Sequence, residues 1–253
     1  MEPLNFFDCN CSFGMRSVKY PGSFSSLDEL IRNMNNYGIK KALVYHSMAR
    51  EYDIKTGNKM LMTEIADYPF LYPVWIVMHH HTGEFPSPDL LKAQLKENNV
   101  KAVRIFPSIL DHWYSISDWN CKELFNMLET SKIPLIVGLD QITWDELHNL
   151  CLHHPELIVI LSDVNYRINR NLYTLLEKFP NLYVETSGYK GFDGISDFCK
   201  FFGAHRLIFG TAMPVLSGAA AVSMINYARI SDKEKQMIAS ENLEKLIGGI
   251  WYD

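Results

Sequence analysis

Asn10 and Ser12, His46, the run His79-His80-His81, Arg104, His112, Asp140, Asp163, Arg167 and Glu185 are the side chains with which this sequence could do chemistry. Each stands in, or just beyond, a short apolar run. Arg104 is the most informative, because it interrupts Val103-Arg104-Ile105-Phe106. An always-charged guanidinium in apolar surroundings needs an anionic partner. Two readings are open for it: a clamp on a substrate carboxylate, or an internal ion pair with Asp163, Asp140 or Glu185. Asp163 ends Leu161-Ser162-Asp163 and should face the same side as Val159 and Leu161 if the strand alternates regularly. It is the candidate general base, with a plain ion pair to Arg104 or Arg167 as the other reading. His46 and His112 are candidates to donate or accept a proton. Asn10, Ser12, His79, Arg104, Asp140, Arg167 and Glu185 are expected to contact a substrate.

The three consecutive histidines make a poor metal cluster. Neighbours on a strand point to opposite faces, so at most His79 and His81 share a side, and no acidic or cysteine partner stands four residues from either of these two. The five cysteines, Cys9, Cys11, Cys121, Cys151 and Cys199, are odd in number and scattered. They form neither a disulfide framework nor a zinc knuckle, and a reducing, cytoplasmic setting is expected. Cys9 and Cys11 should pack behind a regular strand that presents Asn10 and Ser12. Trp113 is the tryptophan expected to line a pocket.

The elements that must position these residues are short β-branched runs alternating with amphipathic stretches. The runs are 5–11, 41–46, 71–78, 100–106, 134–139, 157–161, 182–185 and 207–210. Ser26 with Glu29, and Ser231 with Glu234, have the spacing of capping boxes. Gly38 should end the first helix, and Thr143 should cap the helix over 144–152. Eight strand-then-helix units imply parallel strands, and buried parallel strands read as continuous apolar runs, as these do. About 250 residues suit one closed (β/α)8 barrel better than a doubly wound sheet. The expectation is a single TIM-barrel domain over 1–253, since no linker, repeat or low-complexity segment interrupts the pattern.

Phe7-Asp8-Cys9-Asn10-Cys11-Ser12-Phe13-Gly14 resembles the opening strand of the amidohydrolase superfamily, which ends in Asp-x-His-x-His before a glycine. His205 to Pro214 resembles the eighth strand, Ile238 to Gly248 the final helix, and Asn181 to Gly188 the seventh strand. The order and spacing of these segments carry the resemblance, nearest the branch of aminocarboxymuconate-semialdehyde decarboxylase and metal-free lactonases. The resemblance implies a barrel whose mouth holds metal. Its ligand positions fall on Asn10 and Ser12 in the first strand, on or beside Gly138 in the fifth, on Asp163 in the sixth and on Ala212 in the eighth. Asp163 alone keeps a strong ligand, whereas catalytic zinc needs about three protein ligands. The expectation is therefore no metal and no other cofactor.

Hydrophobic residues make up 47%, charged residues 21%, and the formal net charge is −5. Basic residues form no stripe with aromatics, which argues against nucleic acid as partner. No apolar run reaches membrane-spanning length, and Met1-Glu2-Pro3-Leu4-Asn5 lacks the pattern of a signal peptide. A small carboxylated molecule is the expected partner, and a homo-oligomer is left open. Two functions follow. One is a metal-independent hydrolase, lactonase or decarboxylase. The other is a degenerate barrel that binds a ligand or serves as a subunit, since fold does not fix function. A dense polar mouth would favour the first, and a mouth closed by apolar side chains the second.

Overall fold

The computed structural model describes residues 3–252; Met1 and Glu2, part of the segment read for a signal peptide, lie outside them. The eight apolar runs form β1 (Phe6–Phe13), β2 (Ile39–His46), β3 (Leu71–Ile76), β4 (Ala102–Ile105), β5 (Leu135–Gly138), β6 (Val159–Ser162), β7 (Leu182–Glu185) and β8 (Leu207–Ile208). Each pairs in parallel with the next, in the order β1 to β8. The barrel closes between its ends through Cys9 N donating to Phe209 O (2.9 Å) and Ser12 N to Met213 O (2.8 Å). Asp8, fully buried, reinforces this seam. Its carboxylate accepts from Thr211 N (3.0 Å), the Thr211 hydroxyl, Asn10 N (2.9 Å) and Cys11 Sγ (2.8 Å).

Around the strands run α1 (Leu27–Tyr37), α2 (Ser47–Glu51), α3 (Ile54–Glu64), α4 (Pro88–Glu97), α5 (Asp118–Thr130), α6 (Trp144–His153), α7 (Asn169–Lys178), α8 (Gly194–Phe202), α9 (Gly218–Asn226), α10 (Asp232–Gln236) and α11 (Asn242–Gly248). Both expected capping boxes form, at Ser26/Glu29 and Ser231/Glu234, and Thr143 makes a third with Glu146. Gly38 ends α1 in the left-handed region, with φ 73°. The last helix does not run straight on from Ser231: a π-helical turn, Met237–Glu241, separates α10 from α11.

β1 is not the regular strand expected. Its register on β2 slips between Asp8 and Cys11, a bulge that spends an extra residue on β1. Alternation therefore fails there, and Cys11 does not simply pack behind the barrel: its thiol touches Asp8. Beyond the bulge Ser12 pairs with Tyr45 and Phe13 with His46. No helix among the described residues is long and apolar enough to cross a membrane. All five cysteines are free and buried.

Candidate active site

Arg104 lies within β4 and is 3% exposed. Its Nη1 donates to Asn10 Oδ1 at 2.6 Å, and its Nη2 to Ser162 Oγ at 3.1 Å and Asp163 Oδ2 at 3.3 Å. The guanidinium carbon sits 5.2 Å from the ring centre of Tyr45 and 4.9 Å from that of Phe106. Of the partners open to it from sequence, Asp163 is thus one that it pairs with. Its Nε has no hydrogen-bond partner.

The strands explain who reaches this guanidinium. Tyr45 pairs in register with Ser12, and both face the mouth. The next pair, Phe13 and His46, must then point the other way. The two rings meet edge to face at 5.1 Å. His46 Nδ1 caps α2 by accepting from Met48 N at 3.1 Å, while Nε2 lies 3.5 Å from Glu64. Ser162 and Asp163 both touch Arg104 although they are consecutive, which regular alternation forbids. Asp163 lies past the end of β6 with φ 58°, and this left-handed turn brings its carboxylate round to the mouth. Its position does not rest on alternation with Val159 and Leu161.

A cavity of about 210 Å³ is lined by Asn10, Ser12, Tyr45, Arg104, Asp140 and Asp163, with Arg16, Tyr20, Arg50 and Ala212 also on its walls. It shares Arg16, Tyr20, Arg50 and Asp140 with a neighbouring cavity of about 420 Å³ that includes Ser108, Asp111, His112 and Gln141. Arg50 is held as a fork by Asp111, at 2.9 and 3.1 Å, and Arg16 by Glu51 at 2.9 Å. Beneath the mouth, Glu185 is fully buried. It accepts from Asn10 Nδ2 (3.0 Å), Ser187 Oγ (2.7 Å) and Ser187 N (2.5 Å). Burial pushes its carboxyl up to about 7 against the pull of these donors, with the Asp163 charge a lesser contribution in the same direction. Burial also raises Asp140, helped by Asp163, and lowers His112 and His46.

The structure thus gathers Asn10, Ser12, Arg104, Asp140 and Asp163 round one cavity, with His112 in the adjoining one and Glu185 one hydrogen bond below. His46, His79 and Arg167 do not line either cavity. His79 packs against Tyr114 and His81, and Arg167 lies on the surface beside Tyr166. Trp113 is exposed and lines neither cavity. Sequence reasoning missed Arg16, Arg50 and Tyr45. Arg50 arrives on α2, a five-residue helix too short to show a period. Tyr45 stood one residue before His46 in a recognised strand, and the strand pairing alone says which of the two faces the mouth.

The metal that the superfamily resemblance implies does not fit these residues. Where it would place imidazoles, Asn10 and Ser12 offer neutral oxygens, and Asn10 Oδ1 is taken by the Arg104 guanidinium. A Cβ at Gly138 would lie 2.2 Å from Asp140 Oδ1, so no ligand side chain fits there, and Ala212 has none to offer. Among the described residues no group of three or more His, Cys, Asp or Glu is arranged to hold a metal ion. A fixed cation, Arg104, already lines this cavity.

Solved structures share this fold over nearly their full length. An uncharacterised TIM-barrel protein from Bordetella bronchiseptica matches with a TM-score of 0.75 at 16% identity, covering 97% of this chain and 99% of its own. The 2,6-dihydroxybenzoate decarboxylase from Rhizobium matches with 0.74 at 15% identity, over 97% and 99%. A probable 2-pyrone-4,6-dicarboxylic acid hydrolase from Acinetobacter baumannii, with citric acid bound, matches with 0.69 at 14% identity, over 97% and 100%. No curated protein matches the chain. The family model described as amidohydrolase matches residues 41–249, most of the chain and all strands but the first, and the chain therefore belongs to the amidohydrolase family.

Proposed function

We propose that the chain is an enzyme that decarboxylates or hydrolyses a small aromatic carboxylate without a bound transition metal. The observation that carries this reading is the guanidinium of Arg104 at the centre of a polar mouth, beside the carboxyl groups of Asp163 and Asp140. A planar, permanently charged fork suits a carboxylate better than an ammonium does. Tyr45 and Tyr20 on the same walls add aromatic surface to the cavity. The inner cavity, about 210 Å³, is smaller than the ~300–1,000 Å³ of pockets for drug-sized ligands, and its opening into the outer one leaves room for a substituent. The substrates that name the two enzyme neighbours, 2,6-dihydroxybenzoate and 2-pyrone-4,6-dicarboxylic acid, are both carboxylated rings, which supports the class. Asp163, whose side chain is 42% exposed, is the base within reach of a bound ligand. His112, held neutral by burial, can accept a proton from the outer cavity. The dense polar lining argues against a barrel that has only kept its shape.

Calorimetric titration of benzoate and 2,6-dihydroxybenzoate, with chelator present, tests the clamp. The parent protein should bind, and Arg104→Lys, which keeps the charge but loses the fork, should bind at least tenfold more weakly, about 1.4 kcal/mol. Equal affinity in the folded lysine variant would end the proposal. Chromatography of the bound ligand then separates turnover from binding alone.

A further inference from the structure

A cavity of about 730 Å³ opens on the outer wall of the barrel, between α3 and α4. It shares no lining residue with either cavity of the mouth. The packing of the helices explains why it opens there. Gly57 lets α3 approach α2 so closely that a Cβ would run into the Ala49 backbone. The buried Asn58 amide then fastens α3 to β3: its Nδ2 donates to Ile76 O at 2.8 Å, and its Oδ1 accepts from Ile76 N at 3.0 Å. α4 packs instead against α5. The two helices part over β3, and Trp75 of that strand lines the gap between them.

The lining has two characters. Met62, Trp75, Phe85, Pro86 and Leu90 make it apolar within. Leu90 is 53% exposed, a large apolar side chain that the chain's own packing does not cover. Trp75 is only 9% exposed, yet its Nε1 has no hydrogen-bond partner among the described residues. A buried indole N–H ordinarily finds an acceptor. Lys55 and Lys59 stand four residues apart on one face of α3, and Glu97 comes from α4. Two ammonium groups against one carboxylate leave the lining net positive. The volume falls within the ~300–1,000 Å³ of small-molecule pockets. The apolar residues line a recess closed below by β3, the shape that a small molecule fills.

We propose that this recess is a second ligand site, distinct from the mouth, for an aromatic anion that carries a carbonyl oxygen. The anionic end pairs with Lys55 and Lys59. The ring body covers Leu90, Met62 and Phe85, which removes their apolar surface from water. The carbonyl accepts from Trp75 Nε1 and supplies the partner that the fold does not.

Calorimetric titration of the full chain with anthraquinone-2-sulfonate tests the site. This probe joins a sulfonate to three fused rings with carbonyls on the middle one; anthracene-2-sulfonate lacks the carbonyls. The parent should bind one equivalent of the first probe. Leu90→Glu should weaken it at least tenfold, and so should Lys55→Glu combined with Lys59→Glu, all three changes being on exposed side chains. Trp75→Phe, which keeps a ring but loses the N–H, should shift the affinity ratio of the two probes roughly threefold or more towards anthracene-2-sulfonate. Thermal melts establish that each variant is folded, and the surface variants decide the matter if Trp75→Phe is not. A parent that binds no probe overturns the proposal. So does unchanged affinity in folded Leu90→Glu or in the folded double lysine variant, or an unchanged probe ratio in folded Trp75→Phe. Light scattering on the same samples supplies the last outcome: a parent dimer that Leu90→Glu splits would give the recess to a second copy of the chain and overturn the small-molecule site.

Discussion

A buried carboxyl whose proton leaves near neutrality ties stability to pH in a direction opposite to the usual carboxylate. Glu185 is raised to about 7 from 4.5, chiefly by burial. Between those values the folded chain holds a proton that the unfolded chain has released, so stability falls as pH rises through the folded value. Below the unfolded value the contribution is fully present. Thermal melts of the parent from acid to mildly alkaline pH should therefore lose stability through neutrality in a limb that Glu185→Gln flattens, since glutamine stands in for the protonated acid. Identical pH profiles for the two would show that Glu185 ionises normally. At this scale the sequence was legible where chemistry alone decides. An arginine inside an apolar strand demanded an anion, and it has Asp163. It was not legible where backbone geometry decides. Asp163 reaches the mouth through a left-handed turn, and Arg16 and Arg50 are placed by a loop and a single short helix.

The strands show why some elements were readable and some side chains were not. The capping boxes at Ser26 and Ser231 are local patterns, and they form as read. The bulge in β1 is a tertiary event with no marker in Asp8-Cys9-Asn10-Cys11, yet it sets which β1 residues, Ser12 and Phe13, stand beside Tyr45 and His46. Asp8 also joins β1 to the chain after β8 across the closing seam, where the strand ladder is thinnest, because β8 has only two residues. Asp8→Ala would leave the Thr211 amide and hydroxyl, the Asn10 amide and the Cys11 thiol without their acceptor. Buried donors left unsatisfied cost about 1–3 kcal/mol each, so the loss should be at least ~3 kcal/mol. For a chain of this size that lowers Tm by on the order of 10 °C. A melting temperature within a few degrees of the parent would mean the seam does not depend on Asp8.

Seen whole, the molecule keeps the amidohydrolase barrel and brings the Arg104 guanidinium to its mouth beside Asp163. The fold was legible along nearly the entire chain, because parallel strands buried on both faces write continuous apolar runs. On the function proposed above, Arg104 supplies the positive charge to which a carboxylate binds. The most direct measurement is metal content and benzoate affinity on the same preparation, before and after dialysis against chelator. The expected result is far less than one equivalent of transition metal per chain and the same affinity in both samples. Stoichiometric metal whose removal abolishes benzoate binding, and whose return restores it, would contradict it.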